Sequence, residues 1–577
     1  MRKLLTFLLI ACLSNGYAAT LSEPQVVALK RELSEAAQAL LDNRKAAGVA
    51  YAVVEDGQVR ILEASGWADA DLQRTLQTDT PLPLGSVSQL YAAALAMGLV
   101  EAGQLSLDDT VQKRLPALQL KARGPSILPI TLRALLSHHS GLSAGDARGL
   151  YLETPAANSV LTRELILSRA PGVLTEESPQ AIELAGALLS QTAGLSYAQL
   201  LDRHINKPLA LRHTGLAPLP GAAVGHRKGD SEPVLYPRDL AALGVQASIG
   251  DFAKLLAALD PQQPGKWLSS ASRSTLISAQ NRHVRYDFEN RQGMPWQLFT
   301  SRRAAVGEVA TVSSRVPGFR TEVRMFPSHR LSVALVANWS EAGEELDQFI
   351  RQISDAALQA KAGIARRNPD EPLPQRIALP KGLVFDAPAA HYSSSMGLLR
   401  PQVDDDGFDF ELGGFGLRAV RRADGWYALR YRLLGVIPLS LSFVKKVLIA
   451  PVRVGAQRLL VYHAGDSTGL FGSAFEPSAA PPQLQGLLGK YRISNPDPVS
   501  ERWRISDIAL VLDDGVPVLR ASFDNLLDVD MTLPLRALGD NRYGVPGLVP
   551  GLGDSIRVLP GDPARILFSG YILERER

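Results

Sequence analysis

The sequence predicts a mixed α/β chain of the α+β kind: one domain with a central antiparallel sheet flanked by helices, then two small all-β, barrel-like domains. Three observations predict it. From about Leu21 to Ile364 helical and strand-like patterns alternate, with helices at both ends and strands just inside them. Arg366–Lys381 (RRNPDEPLPQRIALPK) is rich in proline and charge and lacks periodicity, as a linker does. Beyond it the chain turns strand-rich. At 577 residues it is too long for one hydrophobic core.

Taken in order, the first element is not part of the fold. Arg2 and Lys3 precede an apolar run, Leu4–Leu13, and then Ser14-Asn15-Gly16-Tyr17-Ala18-Ala19, whose small residues suit signal-peptidase cleavage. Residues 1–19 therefore read as a signal peptide, and the protein is expected in the periplasm or secreted. The run is shorter than the roughly 20 residues that span a bilayer. The only cysteine, Cys12, follows Leu9-Ile10-Ala11, which resembles a lipoprotein box, so a lipid-anchored form is the second reading. Cleavage after Ala18 or Ala19 would leave no cysteine, excluding disulfides and thiol catalysis.

Residues 21–365 form the first domain. Val26–Lys45 has the apolar spacing of an amphipathic helix. Val49–Glu55 and Gln58–Ala64 read as strands joined by Asp56-Gly57, a hairpin signal. Gly318–Phe326 and Leu331–Asn338 read as two more strands, and Glu341–Ala362 as a closing helix. After the linker (366–383) come 384–480 and 481–577. Phe408–Leu412, Leu417–Arg421, Trp426–Leu433 and Leu459–His463 are short strands. Both stretches open alike, with Ala390-His391-Tyr392 and Gly489-Lys490-Tyr491, and both carry an Asp-Gly turn, Asp406-Gly407 and Asp514-Gly515. This self-similarity predicts two related small barrels. No segment after the leader reads as a membrane span; Leu433–Val444 is too short and is interrupted by Pro438.

Apolar residues make up 46% and charged residues 21%, ordinary for a globular protein. A net charge of +3 with dispersed basic residues gives no nucleic-acid signal. No cysteine–histidine metal spacing, P-loop or dinucleotide fingerprint occurs, so no cofactor is expected. Asp404-Asp405-Asp406 lacks the alternating spacing of a calcium loop and reads as a solvated turn.

The chemistry-bearing segment is Pro83-Leu84-Gly85-Ser86-Val87-Ser88-Gln89-Leu90-Tyr91, a glycine and serines before an alanine-rich helix running to about Ala102. A serine there lies where free N–H groups and the helix dipole favour an oxyanion. Ser86 or Ser88 serving only as a helix cap is the alternative. Further blocks follow in order: Leu99–Val111, Ile130–Leu142, Pro171-Gly172, Leu184-Ala185-Gly186, Ala193–Tyr197, Pro208–Leu216, Ala247–Asp251, Pro317-Gly318-Phe319 and Ala334–Asn338. Together these resemble the serine β-lactamase and penicillin-binding-protein family, of the class C type with its DD-peptidase and esterase relatives, over about Val49–Asn338. The resemblance implies a β-lactamase/transpeptidase-like domain. It also implies acyl-enzyme chemistry: a nucleophilic serine, a lysine three residues on that takes its proton, a tyrosine in a second motif, and a strand motif of Lys or His followed by Thr-Gly along the groove.

On that pattern the nucleophile position is Ser86, but the lysine position holds Gln89, whose carboxamide cannot act as a base near neutrality. Counting from Pro171 puts the Tyr-x-Asn motif on Glu177-Ser178-Pro179, so Glu177 stands at the tyrosine position. Counting back from Pro317 puts the strand motif on Val312-Ser313-Ser314, with Ser313 and Ser314 as substrate-binding candidates. Glu177 could serve as a substitute base if burial raised its pKa; the other reading is a solvated charge near a helix start. His138 and His139 lie in a block that the family uses structurally. Gly141-Leu142-Ser143-Ala144-Gly145 fits the G-x-S-x-G pattern but follows a helical stretch rather than a strand, so it is not read as a nucleophile elbow.

The expectation is an exported, catalytically impaired member of the family. Its cleft is expected to bind a small-molecule or peptide ligand, of peptidoglycan type, or an envelope protein partner. An active serine hydrolase acting through Ser86 and a structural envelope protein acting through the C-terminal β-domains are the alternatives.

Overall fold

The computed structural model describes residues 20–576 except 43–46, 123–128, 156–159, 266, 340–342, 369–371, 396, 434–436, 440–445, 524–528, 540, 549–554 and 562–563. The expected signal peptide and Cys12 lie outside the described residues, as does much of Leu433–Val444. Among the described residues no helix is long and apolar enough to cross a membrane.

The first domain is built on β1 (Gly48–Glu55), β2 (Gln58–Asp69), β3 (Glu308–Val316), β4 (Phe319–Phe326) and β5 (Leu331–Ala337). The sheet order is β3-β4-β5-β1-β2, all antiparallel, extended beyond β3 by Gln297–Thr300 and Arg291–Gln292. The two ends of the domain thus meet at the β1–β5 pair, where Ala52 faces Ala334. Every residue of β1 is buried, the mark of a strand covered on both faces. Asp56 and Gly57, with φ of 51° and 72°, make the tight β1–β2 turn.

Five helices matter here: α1 (Glu23–Leu41), α2 (Gln89–Glu101), α3 (Pro179–Ala193), α4 (Ile249–Leu259) and α5 (Gly343–Ala362). The first starts three residues earlier than its apolar spacing suggests, because Ser22 and Gln25 form a capping box; it runs to Leu41, and the end expected at Lys45 lies outside the described residues. Leu29, Leu33 and Ala37 of α1 and Phe349, Ile350 and Ile353 of α5 cover one face of the sheet. Lys361 of α5 is buried against Glu55 Oε1 at 2.9 Å and Asp56 Oδ2 at 3.0 Å, tying the last helix to the first hairpin. The opposite face, with Ala50, Ala52 and Val54, packs on α2 and α4 in the larger core.

The strand-rich remainder forms two antiparallel units, in each of which a strand near the start pairs with the last. Tyr392 lies opposite Ala474 in one, and Tyr491 opposite Arg575 in the other. Both tyrosines are buried. Asp406-Gly407 and Asp514-Gly515 lie at hairpin turns. The acidic run before Gly407 is a turn held by Arg418, whose guanidinium meets Asp404 Oδ1 at 2.6 Å.

Candidate active site

The site is assembled where α2 begins. Gly85–Ser88 form a single 3₁₀ turn leading into the helix. Gly85 has φ of 56°, and a Cβ placed there would lie 2.1 Å from Ser314 Oγ and 2.5 Å from Val316 Cγ1. Only glycine fits this close approach of the turn to β3. The approach brings the half-buried Ser86 against the strand, and its backbone N–H donates to Ser314 Oγ at 2.8 Å. Ser88 accepts from Val245 N–H at 3.0 Å, and neither serine side chain caps α2.

Gln89, the first residue of α2, is 2% exposed and donates from Nε2 to Glu177 Oε1 at 3.1 Å. Glu177 is held by its neighbours. Thr175 N–H donates to Asp287 at 2.7 Å, Glu176 N–H to the His138 carbonyl at 2.7 Å, and Ser178 both caps α3 and donates to the Ser143 carbonyl at 2.6 Å. The Glu177 side chain itself is exposed.

Alternation along β3 splits the other two candidates: Val312 and Ser314 point inward, while Ser313 is exposed on the opposite side. The structure therefore brings Ser86, Gln89, Glu177 and Ser314 together and leaves Ser313 out of the cluster. Ser143 is followed by no helix; its carbonyl and hydroxyl are bound by Ser178 and Gln180.

His138 is buried with φ of 61°, and its Nδ1 has no hydrogen-bond partner among the described residues. Burial lowers its pKa, and the nearby Glu177 charge opposes that only in part. Burial, with His283 beside it, holds His139 down at about 4. Both rings are therefore neutral at pH 7, and neither is hydrogen-bonded to Ser86.

Two features beside the site carry no mark in the sequence. Tyr151 is buried, and its hydroxyl pKa is raised by that burial, within the fields of Arg502, Asp239 and Glu177. It lines a 230 Å³ cavity with Pro83, Gln246, Val316 and Pro317. The second feature is cover from the C-terminal units. Residues 495–504 dock on this flank: Arg148 Nε donates to the Asn495 carbonyl at 2.8 Å, Gly149 N–H to Asp497 at 2.7 Å, Arg502 pairs with Glu232, and Val499 joins the main core. The first unit packs Trp426 and Leu448 with Tyr286, Val173 and Leu174, just ahead of Thr175.

Chemically, the cluster offers a hydroxyl on Ser86 but no titrating group at Gln89. The Ser86 N–H would be the nearest donor to an oxyanion forming on a carbon bonded to Ser86 Oγ, and it is already spent on Ser314. Among the described residues no group of acids, histidines or cysteines could hold a metal.

Comparison with known proteins places this geometry. The family model described as Beta-lactamase matches residues 33–357. Similar curated proteins include the esterase EstB of Burkholderia gladioli, 30% identical over 214 residues, covering 34% of this chain and 54% of that protein. A β-lactamase of Escherichia coli (strain K12) is 29% identical over 226 residues, covering 37% and 57%. The chain spans about half the length of these curated relatives. Among solved structures, SurE aligns at TM-score 0.55 with 21% identity over 78% of this chain and 100% of that one. An octameric penicillin-binding protein homologue from Pyrococcus abyssi aligns at 0.52 with 18% identity over 74% and 99%. These last two likenesses concern the fold alone.

Proposed function

The chain belongs to the beta-lactamase family, and from that premise we propose that it is an exported member in which Ser86 no longer acylates and the cleft holds a peptide-type ligand without turning it over. One observation carries the reading: the 3.1 Å bond between Gln89 and Glu177. The residues at the lysine and tyrosine positions satisfy each other. A serine hydroxyl is a weak nucleophile unless a neighbouring base takes its proton. An amide cannot take it, and the Glu177 carboxylate is engaged with that amide. The bond from Ser86 N–H to Ser314 Oγ adds to this, since it occupies a donor that acyl transfer would need.

What remains beside the site is the 230 Å³ cavity lined by Tyr151, Pro83, Gln246, Val316 and Pro317, with residues 495–504 docked on its flank. The ligand inferred for it is a peptide with apolar side chains against Pro83, Val316 and Pro317, and a peptidoglycan stem is one exported source of such a peptide. The competing reading is a working hydrolase with Glu177 as base, and it requires the free oxygen, Oε2, to reach Ser86, to which Glu177 is not hydrogen-bonded.

The test is covalent labelling. The purified chain is incubated with a fluorescent penicillin and, separately, with a fluorophosphonate, and its intact mass is measured. The expected result is no adduct. A stoichiometric adduct that disappears in Ser86→Ala would overturn the proposal.

A further inference from the structure

A second cavity lies far from Ser86, between the two C-terminal units. It encloses 720 Å³, inside the range of about 300–1,000 Å³ typical of small-molecule sites. Three contacts frame it. Gly397 sits on the Thr532 backbone, where a Cβ would fall 2.7 Å from the carbonyl oxygen. Arg400 reaches across to Asp513 Oδ1 at 2.6 Å. The turn at Gly414 comes up to Asp530, with 3.4 Å from a Cβ position to the carboxylate. Each unit thus supplies one wall, and the gap exists only because the two are held together.

The lining has two characters. Leu398, Phe410, Ala521 and Met531 give it an apolar floor. Around this stand six carboxylates, Asp409, Glu411, Asp507, Asp513, Asp514 and Asp530, against two guanidinium groups, Arg400 and Arg520. Both arginines are bonded to Asp513, at 2.6 and 3.0 Å, and Arg400 also pairs with Asp514 at 3.5 Å. Asp409 pairs with Arg418 at 3.3 Å. Glu411 and Asp507 have no ion-pair partner among the described residues, and Asp530 accepts from Ser522 Oγ at 2.7 Å. The cations are used up within the walls while carboxylates are left over, beside an apolar surface.

We propose that this gap between the two C-terminal units binds a small cationic amphiphile, a primary amine or guanidine carried on an apolar body. The apolar body lies on Phe410 and Met531, and the cation stands between Glu411 and Asp530. The site goes beyond the reading of the Ser86 cleft and does not depend on it.

The test is a fluorescence titration of the full-length chain with dansylcadaverine, a primary amine on an apolar fluorophore. Saturable one-to-one binding is expected, weakening as salt is added because these charges are solvent-facing. The amine-free analogue N-pentyl dansylamide is expected to bind at least tenfold more weakly. Glu411→Gln/Asp530→Asn is expected to lower affinity for the amine about tenfold. Gln402→Trp, at an exposed lining position, is expected to lower it at least fivefold by filling the gap. Ser86→Ala is expected to change nothing. Unchanged melting temperatures verify that the variants fold. Absence of saturable binding to the parent chain, or parent-like binding by both cavity variants, would overturn the proposal. Loss of binding in Ser86→Ala alone would overturn it too, by moving the probe to the cleft.

Discussion

Gln89 and Glu177, 88 residues apart, are joined by one hydrogen bond of 3.1 Å that ties the start of α2 to the segment ahead of α3. Gln89 is buried and Glu177 is exposed, so the bond runs from the domain interior to its surface.

Replacing Gln89 alone is expected to be insufficient for acylation. In Gln89→Lys the new ammonium would sit beside Glu177, which favours its charged form and keeps it from acting as a base. In Gln89→Lys/Glu177→Tyr that anchor is gone. Fluorescent penicillin labelling followed by intact mass should find the single variant unmodified and the double variant labelled once Ser314→Gly also frees the Ser86 N–H.

The Ser86–Ser314 contact should be visible in stability. Ser314→Ala leaves the Ser86 N–H without its acceptor, a loss of about 1 kcal/mol. Gly85→Ala forces a side chain onto Ser314 Oγ at positive φ and should cost more, about 2 kcal/mol. Urea unfolding followed by tryptophan fluorescence orders the two.

Lys361 is a sharper case. Its side chain is 2% exposed and Glu55 is fully buried, so Lys361→Met strands a buried carboxylate. Arg60 remains 3.7 Å away, which places the expected loss near the low end for a broken buried pair, about 3 kcal/mol. Urea unfolding should shift by that amount, whereas Lys30→Met, which removes an exposed pair with Glu63, should barely move it.

Acid should destabilise the fold through its histidines. Burial, before any other cause, depresses His139 and His463 to about 4, below the unfolded value of 6.5. Between those values the unfolded chain binds more protons, so stability falls as pH drops from 6.5 toward 4. Burial raises Glu183 to about 7, and its contribution has the opposite sign, lost as pH rises from 4.5 to 7. Melting temperature against pH should therefore fall on acidification through this window. The fall should be shallower in His139→Gln and steeper in Glu183→Gln.

Docking of residues 495–504 should respond to Arg502. Its pair with Glu232 is nearly buried, with side chains 13% and 9% exposed. Arg502→Ala should raise hydrogen exchange in residues 495–504 and at Tyr151-Leu152, and leave α2 protected.

Much of this was legible in the sequence, for physical reasons. Pro171 and Pro317 sit at turns, and the residues counted from them, Glu177 and Ser314, are the ones hydrogen-bonded to Gln89 and Ser86. Asp56-Gly57 announced the first hairpin because few other pairs adopt that turn. The count cannot tell one face of the strand from the other: alternation buries Ser314 beside Ser86 and turns Ser313 outward. Tyr151 and Val499 were not legible at all. Each gains its role from a partner hundreds of residues away, and no local periodicity records such a contact. The capture of Ser86 N–H by Ser314 is of the same kind.

The pairing of β1 with β5 has a consequence for how the molecule is made. A ribosome releases β1 and α1 long before Leu331–Ala337 and α5 exist, so the first strand waits without its neighbour while most of the domain is synthesised. No stable nucleus can close from the leading segment alone, and contacts so distant in sequence make for slow folding. A chain cut short before Leu331 would present β1 as an unprotected edge, the kind of surface that proteases and aggregation remove. The architecture thus acts as a completeness check: only a chain translated past Ala362 can bury its own beginning.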